Sequence, residues 1–213
     1  MKTQLIIDNL IKFLKERYGR DIKIKPSTDN EVFKILISTI LSQRTRDENT
    51  EKASKSLFSK ADTPEKILKL SIKELEKLIR PSGPYRQKAK RIKEVSKIIL
   101  EKYNGKVPKT REELMELSGV GLKTSNVVLC YGYGKPVIPV DVHVEVCSKK
   151  LGLVPKKATV KEIGEKLEEL VPPKDRYIVN IGLVEFGKEI CTTRKPKCEI
   201  CPMSKYCKYF KNL

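Results

Sequence analysis

Long apolar segments are missing from this sequence of 213 residues. No run approaches the roughly 20 consecutive apolar residues that a membrane-spanning helix needs, so we expect no membrane partner. The amphipathic N-terminus, MKTQLIIDNLIKFLKERYG, lacks the cleavage pattern of a signal peptide, and we therefore expect a mature cytoplasmic protein. Repeats and low-complexity tracts are absent too. The length and a hydrophobic content of 39% instead suit one large or two small domains with a real core.

Acidic residues are scarce relative to basic ones. The chain has 27 Asp and Glu against 45 Lys and Arg, which gives a formal net charge of +18. An excess of this size indicates a polyanionic partner, and we expect nucleic acid. A charge-rich thermophile surface is the alternative, but such surfaces are usually closer to balance. A membrane surface is disfavoured, because the lysines are spread over the whole chain and do not follow one helix face.

Cysteines concentrate near the end of the chain. Four of the six follow the spacing C-x6-C-x2-C-x5-C, namely Cys191, Cys198, Cys201 and Cys207. In a reducing compartment, thiols this dense are metal ligands far more often than disulfides. Four thiolates suit zinc and an iron–sulfur cluster equally well, so spacing alone leaves both open. Cys130 and Cys147 lie among apolar residues and are predicted to be core thiols.

The apolar residues recur mostly at three-to-four spacing, which predicts an all-α fold. Capping-box pairs such as Ser71 with Glu74, and Thr159 with Glu162, mark helix starts. The basic run 86–97 is predicted to form a solvated helix face, whose N-terminal end could touch DNA. The segment 140–146 is ambiguous, because alternating valines indicate a strand whereas Asp141 could cap a helix.

The stretch 110–146 contains the strongest candidate site. A short helix is predicted to open at Thr110, and the turn Gly119-Val120-Gly121 leads into a second helix with Lys123 in its first turn. Unpaired N–H groups and the positive dipole end at such a helix start favour a phosphate. They also disfavour an ammonium, and a neutral amine is what a nucleophile needs. From spacing alone, a phosphate contact is the favoured role for Lys123, and an N-cap is the favoured role for Asp141.

Three motifs in one order carry a family resemblance: LSGVGLKTSN at 117–126, VDVHV at 140–144, and the terminal cysteine pattern. Together they resemble the endonuclease III family of helix-hairpin-helix DNA glycosylases, as an archaeal-type member. GPYRQKA at 83–89 and LSQRTRD at 41–47 are also similar to family segments. The resemblance covers nearly the whole chain.

The resemblance implies a fold of two helical domains flanking a DNA-binding cleft. Residues 26–136 would form a six-helix barrel with the helix-hairpin-helix, and residues 1–25 with 137–213 would form a discontinuous domain holding a 4Fe–4S cluster. It implies a helix start at VDVHV, and it favours the cluster over zinc on the four cysteines. Lys123 matches the family's nucleophile and Asp141 its acid partner.

The same resemblance implies a monomer that binds double-stranded DNA with a damaged or mispaired base. Two positions depart from the family, since Arg44 stands where a Gln is usual and Pro84 where Leu or another bulky residue is frequent. Both family positions face the gap left by the flipped base. The predicted DNA contacts are Gln43, Arg44, Pro84, Gly119, Val120, Gly121, Arg194 and Lys195.

Three functions remain in competition at this stage. The first is a glycosylase with abasic-site lyase activity that removes oxidised pyrimidines and nicks the strand by β-elimination. The second is a mismatch glycosylase for T or U opposite G with weak or no lyase activity, which Arg44 and Pro84 motivate. The third is a DNA-binding module without activity, supported by charge alone.

Overall fold

The structure is a computed structural model that describes residues 2–19 and 27–212. All regular secondary structure in these ranges is helical, which confirms the all-α prediction. Within them, no helix combines the length and the apolarity required to cross a membrane. The α-helices are α1 Lys2–Tyr18, α2 Asp29–Ser42, α3 Asp47–Phe58, α4 Pro64–Lys69, α5 Ile72–Leu78, α6 Tyr85–Tyr103, α7 Arg111–Met115, α8 Leu122–Val127, α9 Val142–Leu151, α10 Val160–Leu170 and α11 Arg176–Glu189.

Shorter helical pieces connect or extend these elements. A π-helical stretch, Val128–Gly132, continues α8. Single 3₁₀ turns occur at Arg80–Ser82, Pro173–Asp175, Cys198–Ile200, Ser204–Tyr206 and Phe210–Asn212.

Side-chain caps fix most helix starts where the sequence indicated them. Both predicted capping boxes form: Ser71 accepts from the backbone N–H of Glu74, whose carboxylate accepts from Ser71 N, and Thr159 and Glu162 do the same. Each pair satisfies two of the N–H groups that a helix start leaves without a partner. These starts are therefore encoded within four residues of sequence.

The ambiguous segment 140–146 is helical. Its helix, α9, starts at Val142 with Asp141 as N-cap and ends at Gly152, which has a φ of 83°. The strand alternative is wrong, because a local cap outweighs the weak β preference of alternating valines. A glycine in the left-handed region is a common helix terminator.

The chain folds into two compact units. The first combines Met1–Ile24 with Pro136–Leu213, and the second is Lys25–Lys135. The boundary expected from the sequence at 25 and 26 lies outside the described residues. The assignment of a six-helix barrel and a cluster domain stays a prediction.

The first unit is built around α1, α9 and α11. Phe13 of α1 packs edge-on against Phe186 of α11, with ring centroids 5.5 Å apart. Gly182 permits this approach, because a Cβ there would lie 2.9 Å from Leu14 Cδ2. Its buried core contains more than twenty hydrophobic side chains, including the predicted core thiol Cys147.

The second unit surrounds α2, whose buried face comprises Val32, Phe33, Leu36, Ile37, Thr39, Ile40 and Leu41. Helix α2 packs against α3, α6 and α8, and α4 packs against α6. Cys130, the other predicted core thiol, is buried here with 1% exposure.

Candidate functional site

A helix pair in the second unit presents the glycine turn. Helices α7 and α8 run on either side of residues 116–121, and the Arg111 side chain joins them by donating from Nε to Asn126 Oδ1 at 2.9 Å. Thr110 caps α7 by accepting from Glu113 N at 3.3 Å. Asn126 is buried and Arg111 is half-buried, so their bond is partly shielded from water and links the two helices.

The three turn residues differ in their exposure and in the space around them. Gly119 has a φ of 77°, which favours glycine, and a Cβ there would meet Arg91 Cδ at 2.8 Å. Gly121 is exposed and faces open space, since nothing lies within 4 Å of a would-be Cβ. Val120 is buried at 6% exposure and donates its N–H to Leu117 O at 3.0 Å. Val120 thus shapes the turn, and the prediction that it contacts DNA gains no support from this geometry.

Lys123 projects from the first turn of α8 and is exposed. In the described part of the chain its amine forms no hydrogen bond or ion pair. No side chain caps α8, whose N-cap is Gly121. A lysine beside uncapped N–H groups is available to react or to bind an anion, because nothing holds it elsewhere.

Asp141 lies in the first unit, where it is the N-cap of α9. Its Oδ1 accepts from His143 N and from Val144 N, both at 2.9 Å. Among the described residues, no donor occupies its other oxygen, Oδ2. The carboxylate is thereby oriented by the helix start and keeps one oxygen for another partner. His143 packs against α11, where a Cβ on Gly187 would lie 2.8 Å from His143 Cβ.

Gln43 is engaged with the hairpin. Its Nε2 donates to the Gly119 carbonyl at 2.8 Å and lies 3.5 Å from Thr124 Oγ1. The sequence predicted a DNA contact here, whereas the amide NH₂ of Gln43 bonds to the glycine turn. The side-chain carbonyl oxygen of Gln43 is the atom that remains available to nucleic acid. The DNA contact of Gln43 stays a prediction.

Arg44 and Pro84 are both exposed, and both stand on unusual backbone. Arg44 has a φ of 53°, and the only other non-glycine residue with positive φ in the described ranges is Asn104. Pro84 has φ −73° and ψ 59°, and Tyr85 N donates to Gly83 O across it. These angles define an inverse γ-turn, with the exposed proline at its centre.

Lys88 is the residue that sequence reasoning missed. It belongs to the basic run predicted to be solvated, yet only 1% of it is exposed. That prediction is wrong at this position, and a signal existed in the sequence. Lys88 shares helical spacing with Ile92, Val95 and Ile99, which are all buried, so it lies on the apolar stripe of α6.

The four terminal cysteines line one pocket in the first unit. Cys191 and Cys207 are buried, and Cys198 and Cys201 are half-buried. Burial raises the pKa of the Cys201 thiol to about 11, and the nearby Cys191 and Cys207 add to the effect. A hydrogen bond from Cys147 lowers the pKa of Cys191. The four thiols therefore face a common space.

The donor set fits an iron–sulfur cluster. All four terminal cysteines line one pocket. They supply the four thiol ligands that a four-iron cluster requires, because each iron takes one cysteine.

The loop between the first two cysteines carries exposed cations. Arg194 and Lys195 are exposed, and Lys150 holds the start of the loop by donating from Nζ to Thr192 O at 2.8 Å. Lys197 N donates to Ile190 O at 2.9 Å at its end. The loop is therefore anchored at both sides, with Arg194 and Lys195 directed to solvent.

Comparison with known proteins gives two family matches. Residues 37–173 match the model of the HhH-GPD superfamily of base excision DNA repair proteins, and residues 191–207 match the iron–sulfur binding domain of endonuclease III. The second range begins and ends at the first and fourth cysteines of the pocket.

Three individual proteins are similar over nearly their whole length. Endonuclease III of Thermotoga maritima is 45% identical over 97% of this chain and 94% of its own. A trapped endonuclease III–DNA covalent intermediate superposes with a TM-score of 0.89 at 33% identity, covering 98% of this chain and 97% of the other. A thermostable thymine-DNA glycosylase gives a TM-score of 0.87 at 31% identity, covering 100% and 98%.

Proposed function

The chain belongs to the endonuclease III family of base-excision repair proteins and is a DNA glycosylase with abasic-site lyase activity, and we propose that Lys123 is its nucleophile, Asp141 its acid–base partner and oxidised pyrimidine its target. The observation that carries the proposal is the exposed, unpaired Lys123 in the first turn of α8. The hypothesis of a DNA-binding module without activity is excluded, because the family is enzymatic.

The first step breaks the N-glycosidic bond. The Lys123 amine attacks C1′ of the deoxyribose through its nitrogen lone pair, and the base leaves with the electrons of the C1′–N bond and takes up a proton from solvent water. The attacking amine becomes positively charged, and the Asp141 carboxylate accepts its proton. Positive charge also develops on the sugar, which a carboxylate stabilises in the transition state. The free Oδ2 of Asp141 supports this role, since Oδ1 is held by two N–H groups.

The second step nicks the strand. Ring opening converts the adduct to a Schiff base between Lys123 and C1′. Removal of a C2′ proton then expels the 3′ phosphate, which departs with the electrons of its C–O bond. Water hydrolyses the Schiff base and returns the free amine. The target base must first leave the stack, which costs least for a damaged or mispaired base.

Gly121 supports close approach of the DNA backbone, because the space beside its Cα is open. Arg194 and Lys195 add exposed positive charge for phosphates. Arg44 and Pro84 would enter the gap left by the flipped base, Pro84 as an apolar wedge and Arg44 by stacking on or bonding to the orphaned base.

The protein holds a 4Fe–4S cluster, for which we propose Cys191, Cys198, Cys201 and Cys207 as the ligands. The cluster would supply no chemistry to the bond cleavage. It would fix the tail and with it the basic loop 192–197. A Cys207→Ser variant should lose iron and visible absorption, whereas Cys130→Ser should keep both. Iron retained at the wild-type level in Cys207→Ser would contradict the ligand assignment.

A mismatch glycosylase acting on T or U opposite G is the second candidate. Arg44 favours it, because this residue departs from the family at a position that faces the gap. The 31% identity with a thermostable thymine-DNA glycosylase adds to this support. A panel of duplexes with thymine glycol, T·G and U·G separates the two candidates. Faster excision of T from T·G than of every oxidised pyrimidine would overturn the first.

Borohydride trapping tests the nucleophile. Wild type should form a covalent protein–DNA adduct, and Lys123→Ala should lose strand cleavage by at least about 10³-fold while undamaged DNA still binds. Lys73→Ala, at an exposed lysine of the same unit, is the matched control. Equal loss of binding and cleavage in Lys123→Ala would reduce Lys123 to a phosphate anchor. The monomeric state and the cytoplasmic location stay predictions, as does the archaeal-type assignment.

A further inference from the structure

Lys88 makes an unusual set of contacts for a lysine on a basic helix. Its ammonium is buried, which lowers the pKa of Lys88 to about 8, with a smaller effect of Arg91. Burying an ammonium without partners costs several kcal/mol, so all three N–H groups need acceptors. They have them: Nζ donates to Leu41 O at 2.6 Å, to Thr45 Oγ1 at 2.8 Å and to Ser82 O.

The three acceptors belong to two separate segments of the chain. Leu41 and Thr45 belong to the end of α2 and the loop after it, and Ser82 ends the 3₁₀ turn before Pro84. The two segments also touch directly, because Thr45 Oγ1 donates to Ser82 O at 2.6 Å. Gly83, with a φ of 76°, brings its backbone so close that a Cβ would lie 3.3 Å from Arg44 O. Lys88 therefore fastens one segment to the other.

Each segment exposes one of the two residues that would enter the gap. Arg44 sits between Gln43 and Thr45, and Pro84 follows Gly83 directly. Thr45 and Ser82, the residues that Lys88 binds, are thus one and two positions away from Arg44 and Pro84. Without the Lys88 bonds the two segments would keep the hydrogen bond from Thr45 Oγ1 to Ser82 O, but the relative position of Arg44 and Pro84 would be less fixed.

We propose that Lys88 is a positioning residue for base discrimination, which holds Arg44 and Pro84 in a fixed relation so that both enter the gap together. The inference rests on the proposed function, which assigns Arg44 and Pro84 to the gap. Preorganised groups recognise a target with less loss of conformational entropy, and a misplacement of about 1 Å can cost up to 10²-fold in rate. Lys88 touches neither the sugar nor the base in this role.

Lys93 is a matched control on the same helix. It is half-buried and donates from Nζ to Leu68 O at 2.8 Å and to Leu70 O, at the end of α4. Lys93 therefore binds backbone carbonyl groups as Lys88 does, but these carbonyls are remote in sequence from Arg44 and Pro84. A general loss of stability should affect Lys93→Met as it affects Lys88→Met.

The experiment measures kcat and KM for the full-length, cluster-loaded protein. One duplex places the excised pyrimidine opposite a normal base, and a second places it opposite a stable abasic analogue. Lys88→Met should lose at least about tenfold in kcat/KM on the first duplex and less than about threefold on the second. Lys93→Met should change both equally. Equal loss on both duplexes in Lys88→Met, or the same selectivity change in Lys93→Met, would overturn the proposal.

A binding measurement separates this inference from the proposed chemistry. With 2-aminopurine opposite the lesion, wild type should raise the fluorescence on binding as the orphaned base unstacks, and Lys88→Met should raise it less. This readout needs no excision, so it still tests Lys88 where the assigned chemistry fails. If Lys88→Met does not fold, Thr45→Val removes one acceptor at a half-buried site and should show the same selective loss. An unchanged fluorescence response in the folded variant would refute the role.

Discussion

Gln43 donates a 2.8 Å hydrogen bond from Nε2 to the carbonyl oxygen of Gly119 and so ties the end of α2 to the glycine turn before α8. This bond crosses 76 positions of sequence, and it makes the turn part of the packed unit. The turn glycines, Gln43 and the Lys88 network therefore form one connected arrangement.

Gln43→Ala should lower the free energy of unfolding by about 1 kcal/mol, because a hydrogen bond is lost and the Gly119 carbonyl is half-buried. Urea denaturation measures the change. Gln87→Ala, at an exposed glutamine of α6, is the control and should stay within about 0.5 kcal/mol of wild type. Equal values for the two variants would show that the bond to Gly119 contributes nothing.

Arg44→Gly should raise the free energy of unfolding by about 0.5 to 1 kcal/mol. A side chain on backbone with a φ of 53° destabilises the folded state by about 1 to 2 kcal/mol. Glycine removes this strain, and its larger conformational entropy in the unfolded state offsets only part of the gain. Asn104→Gly should gain less, since Asn tolerates this region better. The same Arg44→Gly protein should discriminate less between opposite bases. A destabilised Arg44→Gly variant would show that the arginine side chain contributes more than its backbone costs.

Gly121→Ala should weaken DNA binding, whereas Gly187→Ala should lower the stability of the fold. At Gly121 a Cβ meets nothing within 4 Å, so stability should hold while affinity for DNA falls. At Gly187 a Cβ would lie 2.8 Å from His143 Cβ, and overpacking should destabilise the protein by about 1 to 3 kcal/mol. Thermal unfolding and a DNA-binding titration together separate the two. Unchanged DNA affinity in Gly121→Ala would argue against backbone approach at that glycine.

Asp62 should contribute to acid sensitivity. Hydrogen bonds from Lys66 and then Asn30 lower the pKa of Asp62 from 3.8 to about 2. A folded-state pKa below the unfolded one stabilises the protein above pH 4, and this stabilisation is lost as the pH falls from 4 to 2. Asp62→Asn should remove that part of the pH dependence and should cost less than about 1 kcal/mol at pH 7, because the pair is near the surface. Lys66→Met should reduce the same acid-dependent loss, and an identical pH profile in wild type and Asp62→Asn would contradict the assignment.

Local signals made the helix starts predictable. Ser71 with Glu74, and Thr159 with Glu162, act within one turn, and both pairs form as expected. The cysteine spacing likewise indicated a shared site, because the four cysteines follow one another within a short tail, and all four line one pocket. Segment 140–146 resisted assignment, since its alternating valines suit a strand as well as a capped helix.

Long-range contacts explain what the sequence could not supply. Lys88 was assigned to a solvated face, although its carbonyl acceptors at Leu41 and Ser82 come from distant segments. The bond from Gln43 to Gly119 was also not predicted, because Gly119 lies 76 positions away in the sequence, between α7 and α8. Such partners depend on packing, and neither periodicity nor composition encodes them.

The packing of Phe13 on Phe186 imposes an order on biosynthesis. About 160 residues separate the end of α1 from the start of α11, so translation takes on the order of ten seconds to deliver the second half of that contact. During this interval the apolar face of α1 stays exposed to solvent. The unit Lys25–Lys135 is continuous in sequence and can fold while the rest of the chain is still being synthesised. The nascent chain therefore contains the hairpin and Lys123 before it contains Asp141 or the cysteine tail. We expect chaperones to bind this incomplete chain, and we expect it to lack strand-cleavage activity.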